Sequence, residues 1–125
     1  MQPIRKPKLA PYLVVNDPES LLRFLERALD GKLAFEHRGA DGKLRHAEVR
    51  IADSLVMIGR APPGQAQFPA MLHLYVSNAD VAYNRALKAG ATSVRSPTIE
   101  PDGDKRGGVQ DAWGNQWWFA TPSKA

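Results

Sequence analysis

Two groups of side chains in this sequence have types and spacings that could do chemistry: three histidines and a set of large aromatics. His37, His46 and His73 are the histidines, and an imidazole offers a base titrating near neutrality or a ligand for Zn, Fe or Ni. His46, Glu48 and Arg50 alternate with Ala47, Val49 and Ile51, a period of two that puts the polar trio on one face of a strand. Met71, His73 and Tyr75 alternate in the same way with Leu72, Leu74 and Val76. A metal could recruit His46, Glu48 and His73 from such polar faces. The simpler reading is a pair of hydrogen-bonded cavity histidines. His73 is a candidate general base, but the sequence shows no nucleophile or oriented partner for it. His37, at a strand end among charged neighbours, is expected to be exposed.

The aromatics say more. Trp113, Trp117 and Trp118 fall close together near the C-terminus. Alternation sends Trp117 and Phe119 to one face and Gln116 and Trp118 to the other. Trp117 with Phe119 is expected in the core. Trp118, with Tyr12 and Tyr75, could form a slot for a planar or cationic ligand, or could simply fill space. Arg106-Gly107-Gly108 is a weak phosphate-loop candidate, because it does not follow a strand and open a helix; the paired glycines fit a bulge or a close backbone approach. Asp102-Gly103-Asp104 lacks the remainder of a calcium loop.

The elements that must position these residues repeat. Pro11-Tyr12-Leu13-Val14-Val15-Asn16-Asp17 lies over Leu72-His73-Leu74-Tyr75-Val76-Ser77-Asn78 without a gap, each a β-rich run ending in residues that can cap a helix. A helical stretch follows each: Pro18 to Leu29, with Gly31 suited to its C-terminal cap, and Ala79 to Lys88 before Gly90. Three strand candidates come next in each half: 33–37, 43–51 and 54–58, then 92–95, about 107–110, and 116–120. Asp41-Gly42 and Gly114-Asn115 suit tight turns. Residues 61–67, rich in Pro, Gly and Gln, read as a linker. The expected fold is α+β: two βαβββ modules, about 9–60 and 68–121 of a single 1–125 domain, with curved mixed sheets around a cleft and helices outside.

At 125 residues, with 43% hydrophobic and 24% charged, the chain matches one ordinary globular domain. The absence of cysteine excludes disulfides, thiolate metal sites and a cysteine nucleophile. The formal charge of +4 invites a nucleic-acid partner, but only the first eight residues and Lys105-Arg106 cluster, so a solvated surface is expected instead. No apolar run approaches the roughly 20 residues that span a bilayer. The basic start lacks the apolar stretch of a secretory signal. The expectation is a cytoplasmic protein without membrane or nucleic-acid partners.

The duplication, with the strings Asp41-Gly42-Lys43-Leu44-Arg45-His46-Ala47-Glu48, Ala86-Leu87-Lys88-Ala89-Gly90-Ala91 and Gly107 to Trp118, resembles the vicinal oxygen chelate superfamily. That group includes glyoxalase I, extradiol dioxygenases and the bleomycin- and fosfomycin-resistance proteins. The His-Ala-Glu run and the final Asp-x-x-Gly-Asn-x-Trp resemble especially the PhnB-like branch. The resemblance implies four metal-ligand positions, one in the first and one in the last strand of each half, falling near Ala10, Met57, Met71 and Trp118. Trp118 occupies the Glu of a Gly-Asn-x-x-Glu pattern. Ala has no donor, Trp only an N–H, and a thioether suits hard ions poorly. His73, on the same face as Met71, is the nearest substitute.

The resemblance therefore implies a small-molecule-binding protein with no metal and no other cofactor, one that sequesters a toxic or antibiotic-like ligand. The ligand-binding residues expected are Tyr12, His46, Glu48, Arg50, Met57, Met71, His73, Tyr75, Trp113 and Trp118. The alternatives are a metal-dependent lyase of glyoxalase type or a dioxygenase, and a dimeric scaffold. Relatives of this kind commonly pair, so a homodimer is expected.

Overall fold

The computed structural model describes residues 7–123; most of the basic start lies outside them. The described chain divides into two compact units, the first ending at Phe68 and the second beginning at Pro69.

In the first unit, β1 (Tyr12–Val15), α1 (Pro18–Leu29), β2 (Lys32–Arg38), β3 (Leu44–Ile51) and β4 (Ser54–Arg60) follow in order. The sheet runs β1-β4-β3-β2, with β1 parallel to β4 and the other pairs antiparallel. Asp17 starts α1 by accepting from Ser20 N–H at 3.1 Å and Ser20 Oγ at 2.7 Å, satisfying a helix donor that would otherwise lack a partner. Pro18 needs no donor there. The helix buries Pro18, Leu21, Leu22, Phe24, Leu25 and Ala28 against Leu13, Val15, Ala47, Val49 and Ile58. Its C-terminal cap corrects the sequence expectation. Asp30, not Gly31, takes the left-handed conformation, at φ 54° and ψ 36°, which a short polar side chain tolerates. Gly31 is needed for space instead: a Cβ there would lie 2.9 Å from Val49 Cγ1 and 3.0 Å from the Leu25 carbonyl oxygen.

The second unit repeats the plan with β5 (Met71–Tyr75), α2 (Ala79–Lys88), β6 (Thr92–Ile99), β7 (Lys105–Gln110) and β8 (Gln116–Thr121). Its sheet runs β5-β8-β7-β6, with β5 parallel to β8. Asn78 accepts from Val81 N–H at 3.1 Å to start α2. That helix buries only Ala79, Tyr83 and Ala86. The core is instead weighted toward β8, where Trp117 and Phe119 are fully buried. Buried Asp111 fixes the β7–β8 turn: it accepts from Asn115 N–H at 2.9 Å, Asn115 Nδ2 at 3.0 Å and Trp117 Nε1 at 2.9 Å.

The architecture is therefore α+β, two βαβββ modules each carrying a four-stranded mixed sheet. Several strands outrun their expected limits. β6 continues through Pro97 to Ile99 because it is the sheet edge and its register with β7 slips between Arg95 and Thr98, so proline's missing N–H breaks no ladder bond. β4 extends to Arg60, whose guanidinium reaches Glu19 Oε1 at 2.5 Å and the Asn16 and Leu44 carbonyls. Between 61 and 67 there is no helix or strand, and Phe68 bridges Val14.

Candidate functional site

Each sheet has one face packed on its helix and one face free of it, and the chemically capable side chains lie on the second. In the first unit, register places Tyr12 beside Met57, Met57 beside Glu48, and Gly59 beside His46. The Tyr12 ring lies across Gly59, where a Cβ would come 2.5 Å from Tyr12 Oη and 2.7 Å from Cε1. That missing side chain lets the phenol reach over β4 to β3. Tyr12 Oη lies 3.1 Å from His46 Nδ1, with ring centroids 5.6 Å apart. The other imidazole nitrogen, Nε2, lies 3.2 Å from Glu48 Oε2.

An ionised carboxylate only accepts hydrogen bonds. With Glu48 ionised and His46 neutral, Nε2 carries the proton, Nδ1 accepts, and the Tyr12 hydroxyl donates to it; this tautomer is assigned from the partners. Glu48 is 5% exposed, whereas Tyr12 is 46% exposed, so the chain of contacts runs from a buried carboxylate to a surface hydroxyl. Phe35 lies beside it, its ring centroid 6.1 Å from that of His46, and is 51% exposed. Phe35 was missed in the sequence. An extra residue at Ala34 shifts the β2 register so that Leu33 faces Val49 and Phe35 faces Glu48, and no alternation pattern shows that.

In the second unit, register sets His73 beside Trp118 and Trp118 beside Gly108, with Met71 beside Gln116 and Tyr75 beside Ala120. The Trp118 indole lies over Gly108, where a Cβ would meet Cδ2 and Cε2 at 2.6 Å. Its Nε1–H donates to Gln116 Oε1 at 3.1 Å. The rings of His73 and Tyr75 are 4.9 Å apart at 60°. Arg106 Nε–H donates to His73 Nε2 at 3.1 Å, so Nε2 is the acceptor and His73 is held neutral. Partial burial, then the Arg106 charge, keep its pKa below the ordinary imidazole value, against an opposing pull from Asp104.

The structure thus gathers Tyr12, His46, Glu48 and Met57 on one face of the first unit, with exposed Arg50 further along β3 beside Leu55. Met71, His73, Tyr75 and Trp118 share a face of the second. Trp113 lies in the β7–β8 turn outside either strand, where alternation assigns it no face. His37 is exposed. Gly108 is the close backbone approach expected of the paired glycines, with the Trp118 ring over it, and Arg106, weighed in the sequence as part of a phosphate loop and a basic cluster, proves to be the partner of His73. Gly107 is also a close approach, since a Cβ there would lie 2.9 Å from Pro97 Cγ.

The last-strand positions implied for metal ligands, Met57 and Trp118, stand next to Tyr12 and His73 in register, two residues from the expected Ala10 and Met71. In the first unit the pair offers a phenol and a thioether, and in the second an imidazole and an indole N–H; neither pair fits a hard divalent ion. Among the described residues, no group of three or more His, Asp or Glu is placed to hold a metal.

Residues 8–119 match the Glyoxalase/Bleomycin resistance protein/Dioxygenase superfamily. The chain belongs to that superfamily. Uncharacterized protein Mb0911c of Mycobacterium bovis is 34% identical, over 94% of this superfamily member and 84% of the relative. The crystal structure of TioX from Micromonospora sp. ML1 superposes with a TM-score of 0.79 at 24% identity, over 93% of this chain and 98% of TioX. The fosfomycin resistance protein FosX from Mesorhizobium loti does so at 0.66 and 18% identity, over 97% and 96%. At those identities the two structures show a shared fold. Among the described residues of this superfamily member, no helix is long and apolar enough to cross a membrane.

Proposed function

We propose that this superfamily member binds a small, flat aromatic molecule without a metal, and sequesters a toxic or antibiotic-like compound rather than transforming it. One observation carries the reading. Trp118, at the position where the resemblance implies a ligand carboxylate, lies over Gly108 and beside His73, which supports reading it as a stacking surface in place of a metal ligand. FosX, named for fosfomycin resistance, shares the fold, and the reading gives this chain the same broad task of handling a harmful small molecule. It treats both modules as parts of one domain of the PhnB-like branch, on the strength of His46-Ala47-Glu48 and Asp111 to Trp117. It makes the protein a cytoplasmic homodimer with no nucleic-acid or membrane partner; sedimentation at twice the 13.8 kDa chain mass is the expected result.

The test is a titration with planar aromatic dyes followed by tryptophan fluorescence. Binding should quench emission. Trp118→Ala should weaken it roughly two- to tenfold, since an aromatic pair contributes about 0.5–1.5 kcal/mol beyond burial. Dyes that bind equally well to the variant would defeat the reading. So would near-stoichiometric Ni, Zn, Fe or Mn in protein purified without an affinity tag.

A further inference from the structure

The first unit carries a constellation that ligand stacking on Trp118 does not use. We propose that Tyr12, His46 and Glu48 form a proton-accepting site for a weakly acidic aromatic hydroxyl, which the protein binds as its oxyanion. The inference is independent of the stacking reading, because every residue in it belongs to the first unit.

The argument starts from the buried end. Glu48, in contact with His46 Nε2 at 3.2 Å, fixes the imidazole so that Nδ1 is the basic nitrogen, the role an orienting carboxylate has in base-activated hydroxyls. Nδ1 faces Tyr12 Oη at 3.1 Å. With its hydrogen spent on Nδ1, the Tyr12 oxygen presents a lone pair outward, on a side chain that is 46% exposed. An incoming O–H donates to that lone pair. Its proton then passes to Tyr12 Oη as the tyrosine proton passes to His46 Nδ1. The ligand oxygen keeps the electron pair of its broken O–H bond. The products are the ligand oxyanion, a neutral tyrosine donating to it, and an imidazolium paired with the Glu48 carboxylate, all charge-assisted contacts.

Phe35, half exposed and near the imidazole, supplies the apolar contact that favours an aromatic ring over an aliphatic alcohol. The aliphatic alcohol would also be too weak an acid. The other titratable or charged groups on this face are His37 from β2, the register partner of His46, and, further along, Arg50 with its register partner Lys32, whose ammonium is paired with Asp30 at 3.0 Å. Tyr12 is the residue that touches the ligand; His46 and Glu48 act through it and are positioning residues.

The probe is 3-nitrophenol, a weaker acid, in neutral buffer, where the free dye is mostly neutral while an ordinary imidazole is mostly unprotonated. Binding is followed by equilibrium dialysis, and ionisation by the yellow nitrophenolate band. Wild-type protein should raise the phenolate fraction of bound dye roughly tenfold over free dye, the change that a shift of one pKa unit gives. Tyr12→Phe and His46→Gln should lose that rise. Glu48→Gln is the sharper variant: its amide oxygen still accepts from Nε2–H, keeping the tautomer, but cannot balance an imidazolium, so dye should bind without turning yellow. Trp118→Ala should keep the band, which separates this site from the stacking surface. The proposal is overturned if wild-type protein takes up no dye or holds it neutral. It is equally overturned if folded Glu48→Gln or Tyr12→Phe keeps the band, or if Trp118→Ala alone abolishes it.

Discussion

The two units place unlike chemistry on one backbone plan. Register matches Tyr12 of the first unit to His73 of the second, Met57 to Trp118, Glu48 to Gly108, and His46 to Arg106. In both, the first-strand residue reaches over the last strand to the same position on the third, at 3.1 Å each time. In the first unit that contact joins a phenol to an imidazole backed by a buried carboxylate. In the second it joins an imidazole to a guanidinium. Where the first unit has Glu48, the second has a glycine with an indole lying over it. The duplicated scaffold fixes which positions meet. The residue types decide what meets there: a phenol, an imidazole and a carboxylate in the first unit, and an imidazole, a guanidinium and an indole in the second.

The cores differ in the same way. The first unit buries six α1 residues and the second only three of α2, with Trp117 standing in β8 where the first unit has Val56. Trp117→Ala should therefore have the largest effect, about 3–5 kcal/mol of stability for a fully buried Trp, with the Asp111 carboxylate losing one of its donors as well. Val56→Ala removes far less volume and should cost clearly less. Urea unfolding compares the two, and equal costs would mean the second unit does not concentrate its core as described.

The paired glycines sharpen the comparison at smaller magnitude. Gly108→Ala drives a methyl into the middle of the Trp118 indole, which Gln116 and the sheet hold in place, so a loss of about 1–3 kcal/mol is expected, typical of overpacking. Gly59→Ala meets only the outer end of an exposed Tyr12 ring, which can swing away. Its cost should be smaller, while the contact with His46 is lost. Unfolding midpoints separate the two glycines, and crystal structures of the variants show which ring has moved.

Much of this plan was legible in sequence, and the parts that were not have physical reasons. Both helices run as expected because caps at Asp17 and Asn78 and apolar periodicity are local signals. The faces of β3 and β8 were readable from alternation. Phe35 was hidden by one extra residue in β2. The contacts Tyr12–His46 and Arg106–His73 span 34 and 33 residues, and both depend on pairing order that alternation does not encode. Glu48 read as part of a polar strand face; that it is 5% exposed, with His46 against its carboxylate and Phe35 and Met57 as its register neighbours, is a property of the assembled sheet. Gly31 looked like the cap because glycine is the usual left-handed residue; here Asp30 takes that conformation and Gly31 is needed for the space that Val49 and the Leu25 carbonyl leave.

The smallest expected effect tests the matched pair at its least symmetric point. His73 stands where Tyr12 does, and partial burial, then the guanidinium beside it, hold its pKa below the ordinary 6.5. The unfolded chain then binds the proton first as pH falls. Between the ordinary value and the lowered one, the folded state carries fewer protons, so stability decreases as pH falls through that window and is fully present above it. The contribution is small because His73 is largely exposed and solvent screens the charge. An NMR titration of the His73 ring protons should give a midpoint below that of an ordinary histidine. Arg106→Gln should move it upward by removing the neighbouring charge, and His73→Gln should flatten the corresponding part of the stability curve. A midpoint unmoved by Arg106→Gln would mean that the guanidinium contact does not govern this imidazole, and the parallel with Tyr12 and His46 would then be one of position alone.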